Sequence, residues 1–328
     1  MIEEIAEDLY RIEMFLPEHY PKSVNVYVVR DRERNLIVDA GLQDDKCMDT
    51  MLAAIKKLGI DLTKTDFFVT HGHGDHAGLV PRLIQAKSVA YINKLEADFI
   101  QKIESGAFLL ETRDFYRMSG LPEEGLEKIV PLLVRSNLMP ADTSRFQFLK
   151  DGDILAGESY RFTCIETPGH SKGHMCLYEP DRKILASGDH LLKDAASPIT
   201  GRIVNDNPLK EYLLSLDKVF ALDIDIVLPG HGRSFRNAKQ RIKETKEHHH
   251  QENRKVLSIL GEGGKNVYET SLRMTLMRNI DLTNPFSVLQ SVFIVQQAFA
   301  YLRYLEEEGR IKRTTEGKVA IYTLSETC

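Results

Sequence analysis

The stretch "FFVTHGHGDHAG" (Phe67–Gly78) has an apolar run that is followed at once by a cluster of metal-ligand residue types. The cluster comprises His71, His73, Asp75 and His76. Such groups either satisfy one another inside a core or hold metal, and imidazole and carboxylate suit zinc and neighbouring first-row metals. Gly72 and Gly74 permit the sharp backbone path that convergence on one point requires. The stretch alone leaves both alternatives open.

Further candidates stand downstream in glycine-containing motifs, each at the end of an apparent strand. They are His170 and His174 in "TPGHSKGH", Asp189 and His190 in "SGDH", and His231 in "LPGHG". Ligands at successive strand ends on one edge of an α/β layer are typical of an active site. Buried imidazoles without partners are costly, which also disfavours a core role for the first cluster.

The motifs "THGHGDHAG", "TPGHSKGH", "SGDH" and "LPGHG", in this order, resemble the metallo-β-lactamase fold superfamily over roughly residues 1–235. Asp39 in "IVDAG" matches the first, supporting motif. The resemblance implies an α/β (α+β) fold, an αββα sandwich with a two-metal site on one edge. Asp189 stands where members that cleave β-lactams often carry a cysteine, so antibiotic hydrolysis is not expected.

The resemblance also implies a role for each motif residue. It implies a first metal held by His71, His73 and His170, a second held by Asp75, His76 and His231, and Asp189 bridging both. Asp75 would be catalytic by orienting a metal-bridging hydroxide. The two divalent ions are expected to be zinc, with iron or manganese as alternatives. Asp39, His174, His190 and Arg233 are predicted to support a ligand or to contact the substrate.

The pattern of strands and helices predicts a catalytic domain over residues 1–235. Runs rich in β-branched residues at 23–30 and 35–41 predict a hairpin, and residues 45–60 have the apolar spacing of an amphipathic helix. Residues from about 94 to 140 turn helical and predict an insertion. Its Phe115 and Tyr116 are expected either to pack in a helical core or to form an apolar wall for an acyl substrate.

The last part of the chain, residues 236–328, has a different character. A long polar helix is followed by two more helical stretches and by two strands around a Thr-Glu-Gly turn. This pattern predicts a linker helix and a small winged-helix domain. The same tail resembles the β-lactamase-like protein 2 group of the superfamily, which includes a single-strand-selective ribonuclease.

The composition of the chain disfavours several classes of function. The 328 residues are 42% hydrophobic with a net charge of −5, which disfavours a whole-protein nucleic-acid or anionic-membrane partner. The chain shows neither a signal peptide nor an apolar run of about 18 residues that would span a membrane. Four cysteines without a CxxC pair indicate thiols of a reducing cytoplasm.

These observations favour a cytoplasmic binuclear-metal hydrolase acting on a thioester or another small acyl substrate. The main alternative is a single-strand-selective endoribonuclease that uses the same metal site and binds RNA with help from the tail. A third alternative, from another class, is a transcriptional regulator with a metal-sensing domain. A homodimer is also predicted, since the winged helix has the mixed charge of a packing or dimerisation module.

Overall fold

The computed structural model describes residues 1–16, 21–127, 145–201, 205–275 and 285–325, without the side chains of Glu104, Ala107 and residues 285–291. The predicted insertion beyond residue 127 and Cys328 therefore lie outside the described residues. The chain divides into two compact units. The first comprises Met1–Gln101, Asn137–Ser197 and Asp217–Ile242, and the second comprises Lys102–Ser136, Pro198–Leu216 and Lys243–Cys328.

Two sheets form the first unit. The first sheet follows chain order: β1 (Ile2–Ala6), β2 (Leu9–Phe15), β3 (Ser23–Val29), β4 (Asn35–Val38), β5 (Thr65–Phe68), β6 (Ala90–Asn93) and β7 (Phe146–Leu149). The second sheet contains β8 (Ile154–Ala156), β9 (Arg161–Glu166), β10 (Met175–Glu179), β11 (Ile184–Gly188) and β12 (Ile226–Pro229), in the spatial order β12-β11-β10-β9-β8. β4, β5, β6 and β7 run parallel, as do β11 and β12.

Successive residues of the first sheet face two different apolar cores, as the two-residue period of a strand requires. Phe68 belongs to a cluster that includes Phe162 and Leu177 of the second sheet, so this cluster joins the two sheets. Phe67 belongs to a second cluster with Met51 of helix α1. Because both faces are covered, the central strands are apolar on both sides.

Helices of the first unit cover the outer face of the first sheet. They are α1 (Asp45–Leu58), α2 (Gly74–Ala77), α3 (Val80–Leu83) and α4 (Lys94–Glu104). α1 begins where the Asp44 side chain accepts from the backbone amides of Lys46 and Cys47, and it ends at Gly59 in the left-handed conformation. The short α2 contains Asp75 and His76 and is joined to β5 by the loop that carries His71 and His73.

Most of the remaining helices contribute to the second unit. The later elements are α5 (Ala107–Met118), α6 (Pro208–Phe220), α7 (Ala238–Leu260), α8 (Val267–Met274), α9 (Pro285–Glu307) and the antiparallel hairpin β13 (Ile311–Glu316) with β14 (Val319–Leu324). Phe115 packs edge-on against Phe299 at 5.1 Å between ring centres, and the Tyr116 hydroxyl accepts from Gln296 Nε2 at 2.7 Å. Both aromatic side chains are buried, so they pack in a core rather than line an exposed wall.

The strands and helices expected in the first 95 residues are confirmed, including the β3–β4 hairpin. β1, β2 and α6 were not predicted from the sequence. β1 and β2 form an N-terminal hairpin in a stretch whose acidic residues mask the alternation of a strand, and α6 lies between the strands that precede the "SGDH" and "LPGHG" motifs. The predicted domain boundaries and the winged-helix assignment stay predictions.

Candidate metal centre

Three imidazole nitrogens converge after β5 and β9. His71 Nε2 lies 2.9 Å from His73 Nδ1, and His170 Nε2 lies 3.2 Å and 3.1 Å from these two atoms. Ligands about 2.0–2.1 Å from a tetrahedral zinc ion stand about 3.3 Å apart. The spacing of the three nitrogens therefore matches one face of a tetrahedral ligand set.

The outward nitrogens of two of these rings already have partners. His71 Nδ1 lies 3.0 Å from Thr70 Oγ1, and His170 Nδ1 lies 3.2 Å from Ser197 Oγ. Rings that donate from Nδ1 to these hydroxyls present bare lone pairs at both Nε2 atoms. Facing lone pairs repel unless a proton or a cation lies between them, so the donor set fits a metal ion.

A second group of potential ligands adjoins the first. Asp75 Oδ2 lies 3.5 Å from His231 Nε2 and 3.8 Å from His76 Nε2, and the two imidazole nitrogens are 3.3 Å apart. His231 Nδ1 donates to the Ser23 carbonyl at 2.6 Å, which directs its Nε2 lone pair into the group. These three residues have ligand atoms close enough to hold one ion.

Asp189 lies between the two groups. Its Oδ2 is 3.5 Å from His170 Nε2 and 3.4 Å from His231 Nε2, while its Oδ1 is 3.6 Å from His76 Nε2. Oδ1 is buried, and no described residue donates a hydrogen bond to it. A buried carboxylate oxygen of this kind calls for a cation. The position is the one expected of a residue that bridges two metals.

Asp39 supports this centre from the end of β4. Its carboxylate accepts from His76 Nδ1 at 2.7 Å and from the Thr70 amide at 2.9 Å. The Thr70 hydroxyl lies 3.0–3.1 Å from the same carboxylate, which connects Asp39 to His71. Asp39 therefore contacts His76 of the second group and Thr70, which contacts His71 of the first group; its supporting role stays a prediction.

His174 and His190 are both buried beside the centre. His174 Nε2 accepts from the Asp189 amide at 3.2 Å, and His174 Nδ1 lies 2.8 Å from Thr167 Oγ1. Since both nitrogens are engaged, we expect His174 to orient Asp189 rather than to bind metal itself. The ring of His190 lies 6.1 Å from that of His174. Arg233 is exposed two residues after His231, and its contact with a substrate stays a prediction.

Burial and charge separate the imidazoles into two kinds. Burial, followed by the neighbouring His170, lowers the pKa of His73 to about 3, and burial with His76 lowers the pKa of His71 well below its usual value. Burial alone would lower the pKa of His76 too, but the carboxylates of Asp189 and Asp39 raise it to about 10. His71 and His73 are therefore neutral, as metal ligands must be.

Negative charge in the centre is held by its carboxylates. Burial would raise the pKa of Asp189, yet the imidazoles of His231 and His76 lower it well below its usual value. Burial would also raise the pKa of Asp75. The imidazoles of His76 and His231 outweigh burial and lower the pKa of Asp75 below its usual value. Two ionised carboxylates among neutral or cationic imidazoles give a site with the charge that divalent cations complement.

The residues that hold the loops were not predicted from the sequence. The buried Glu96 of α4 accepts from the Gly72 amide at 2.7 Å and from the Gly173 amide at 2.6 Å. "NKLE" at residues 93–96 has the spacing of a capping box, a signal of local helix capping, and Asn93 Oδ1 does accept from the Leu95 amide. Only the fold turns Glu96 toward two other loops.

The loop that bears His231 is fixed by the first sheet. Asn25 Nδ2 donates to the Pro229 carbonyl at 2.9 Å and to the Gly232 carbonyl at 2.7 Å. Tyr27 donates from its hydroxyl to the Pro229 carbonyl, and Arg11 donates to the Gly232 carbonyl. These polar side chains within apolar strands were a sequence signal that went unused.

A profile of the metallo-β-lactamase superfamily matches residues 19–231. The chain belongs to the metallo-β-lactamase superfamily. It is therefore an enzyme of a superfamily whose members are generally metal-dependent hydrolases. Its histidine and aspartate groups could hold the divalent metals that the superfamily usually binds. The expected fold class is confirmed as well, since solved structures with the metallo-β-lactamase fold match nearly the whole chain.

Several curated members of the superfamily are similar to this chain. A "Beta-lactamase-like protein 2 homolog" from Caenorhabditis elegans is 22% identical over 88% of this chain and 81% of the relative. An "Atrochrysone carboxyl ACP thioesterase" from Aspergillus fumigatus is 25% identical over 73% of this chain and 60% of that protein. The resemblance to the β-lactamase-like protein 2 group, expected from the tail and the motifs, is confirmed.

Solved structures of superfamily members extend the match to the C-terminal helices. A metallo-β-lactamase family protein from Thermus thermophilus is 25% identical, with a TM-score of 0.82 over 98% of this chain and 100% of that chain. A β-lactamase domain protein from Burkholderia ambifaria is 23% identical, with a TM-score of 0.85 over 99% of this chain and 94% of that one. These likenesses establish a shared fold rather than a shared substrate.

Within the described part of the chain, no helix combines the length and the apolar character needed to cross a membrane. The predicted cytoplasmic location stays a prediction.

Proposed function

We propose that the chain is a binuclear-metal hydrolase of thioesters or other small acyl substrates. The observation that carries the two-metal part is the position of Asp189, whose two oxygens face His170 and His231 on one side and His76 on the other. The fungal relatives named as acyl carrier protein thioesterases support the acyl part. Zinc is the proposed metal, because imidazole and carboxylate donors in a tetrahedral spacing suit it.

His71, His73 and His170 would hold one ion, Asp75, His76 and His231 the other, and Asp189 would contact both. Two divalent cations bound there would lower the pKa of water and polarise the acyl carbonyl. The chain's own residues supply positioning, since Asp39, Ser197 and the Ser23 carbonyl fix the ligand rings.

Asp75 is the proposed catalytic residue. Its side chain is 24% exposed, in contrast to the fully buried His76. Asp75 Oδ2 faces the imidazoles of His76 and His231. We assign Oδ1 the task of accepting a hydrogen bond from the attacking water and so orienting it toward the substrate.

The test compares an acyl thioester and a single-stranded RNA oligomer as substrates of the same zinc-loaded protein. Thiol release and RNA cleavage are followed with the wild type, with His71→Ala, and with His248→Ala as a matched control. His248 is an exposed histidine on α7. We expect thioester turnover that His71→Ala abolishes, that a chelator removes and that His248→Ala retains.

Salt distinguishes the two substrate classes. Binding dominated by phosphate contacts weakens steeply with ionic strength, whereas turnover of a small acyl substrate should change little between 50 and 200 mM salt, on the order of twofold or less. Metal-dependent cleavage of RNA without thioester turnover would overturn the acyl proposal. Wild-type activity in His71→Ala would overturn the metal mechanism itself.

A further inference from the structure

The two loops that carry the three-histidine group meet at one buried carboxylate. Glu96 Oε2 accepts from the amide of Gly72, which stands between His71 and His73. Glu96 Oε1 accepts from the amide of Gly173, three residues after His170. The side chain of Glu96 is buried, so water does not compete for these contacts. Hydrogen bonds from amides to a buried carboxylate are among the stronger ones in proteins.

The packing around this carboxylate is close on both sides. A Cβ at residue 173 would stand 2.8 Å from Asn93 Oδ1 and 3.0 Å from the Glu96 backbone nitrogen. A Cβ at residue 72 would stand 3.1 Å from Glu96 Oε2. Both loops therefore approach α4 at glycines, which is where backbone can come near another element.

We propose that Glu96 is a positioning residue that holds the His71–His73 loop and the His170 loop at the spacing needed for one metal ion. The inference rests on the metal-binding part of the proposed function. Glu96 contacts none of the proposed ligand atoms and acts through the backbone of both loops. Loss of the Glu96 contact with either loop lets the two loops separate. The three-histidine site then binds metal more weakly, because it needs ligands from both loops.

The other ligand group has separate supports. His76 donates to Asp39, and His231 donates to the Ser23 carbonyl. The loop of His231 is further fixed by Asn25 and Tyr27. Glu96 takes part in none of these contacts. A change at Glu96 should therefore weaken one of the two metal sites and spare the other.

The experiment is a Zn²⁺ titration of metal-free protein against a chromophoric chelator. Glu96→Gln keeps the size of the side chain but turns an amide donor toward one of the two backbone N–H groups. We expect the wild type to bind two Zn²⁺ ions. The Glu96→Gln variant should bind one of these ions with wild-type affinity and the other about 10–100-fold more weakly, which is the usual effect of losing a group that orients a metal ligand. Glu179→Gln is the matched control, because Glu179 is another buried glutamate that accepts from a backbone amide, that of Arg182.

Two further variants complete the test. Gly173→Ala leaves Glu96 in place but pushes the loop from α4, and it should give the same selective loss if Glu96→Gln does not fold. In the His71→Ala background, which already lacks the three-histidine site, Glu96→Gln should change the remaining affinity by less than about twofold. Equal loss at both sites, or no loss at either, would overturn the positioning role. A wild-type chain that binds fewer than two ions would instead contradict the proposed function.

Discussion

The Asp39 carboxylate accepts a hydrogen bond from His76 Nδ1 at 2.7 Å, although 37 residues separate the two positions. Asp39 has a φ of 60°, in the left-handed region that non-glycine residues adopt at a cost. The fold maintains this conformation because the same carboxylate also accepts from the Thr70 amide. Asp39 thus orients a proposed metal ligand and fixes the start of the His71 loop.

Replacing Asp39 by asparagine tests this support. Asparagine tolerates the left-handed conformation, but its amide group cannot accept from both His76 and Thr70 as the carboxylate does. We expect Asp39→Asn to weaken binding of one Zn²⁺ by about 10–100-fold. Asp31→Asn is the control, since Asp31 accepts from the amide and hydroxyl of Ser159 in an exposed loop. Wild-type affinity for both ions would show that Asp39 serves the fold alone.

Asp75 offers a test of the chemical step. At saturating zinc, Asp75→Asn should lower kcat for the thioester by about 10²-fold or more, because the neutral amide holds and orients the attacking water less well than the carboxylate does. The measurement is steady-state thiol release at fixed pH, with the exposed Asp49→Asn on α1 as the matched variant. A kcat within tenfold of wild type would remove Asp75 from the catalytic role.

A substitution at Gly230 tests how closely the backbone approaches Asp189, the proposed bridging residue. A Cβ at this residue would stand 2.5 Å from Asp189 Oδ1 and 2.7 Å from His76 Cε1. Gly230→Ala should therefore displace the proposed bridging carboxylate and lower the zinc content below two ions per chain, as measured by elemental analysis after dialysis. Gly261→Ala, where the nearest atom is the Ser258 carbonyl oxygen at 3.2 Å, should bind as the wild type does. Full zinc occupancy in Gly230→Ala would contradict the proposed geometry.

His249 makes the stability of the second unit depend on pH. Its ring is buried against Tyr301, whose hydroxyl lies 2.8 Å from Nδ1, and burial lowers its pKa to about 3. The unfolded chain binds this proton near pH 6.5, whereas the folded chain does so only near pH 3, so stability falls as pH decreases through that window. The expected loss from this group is about 1.4 kcal/mol of unfolding free energy per pH unit.

The variant His249→Gln should remove that contribution. Urea unfolding of the wild type and the variant at several pH values between 7 and 4 gives the difference in unfolding free energy at each pH. We expect the difference to shift in favour of the variant as pH falls, while the exposed His250→Gln on the same helix shows no such trend. Parallel stability curves for wild type and His249→Gln would contradict the prediction.

β3 and β4 could be predicted from the sequence, because two short runs rich in β-branched residues indicate a strand hairpin. The apolar run before His71 likewise indicated β5. α6 was missed, since the stretch between the "SGDH" and "LPGHG" motifs was not assigned to any element. The N-terminal hairpin was missed because residues such as Glu3, Glu4 and Glu13 obscure the two-residue period.

The order and spacing of the motifs were enough to predict the superfamily and the candidate metal ligands, since histidine and aspartate beside glycine at strand ends are typical of metal sites. The groups that support these candidates could be identified only in the folded chain. Glu96, Asn25 and Tyr27 contact loops that lie far away in the chain, and the local sequence around a residue does not predict such distant partners. The distances between the two ligand groups and Asp189 likewise depend on how the two sheets pack, and a short sequence motif does not contain that information.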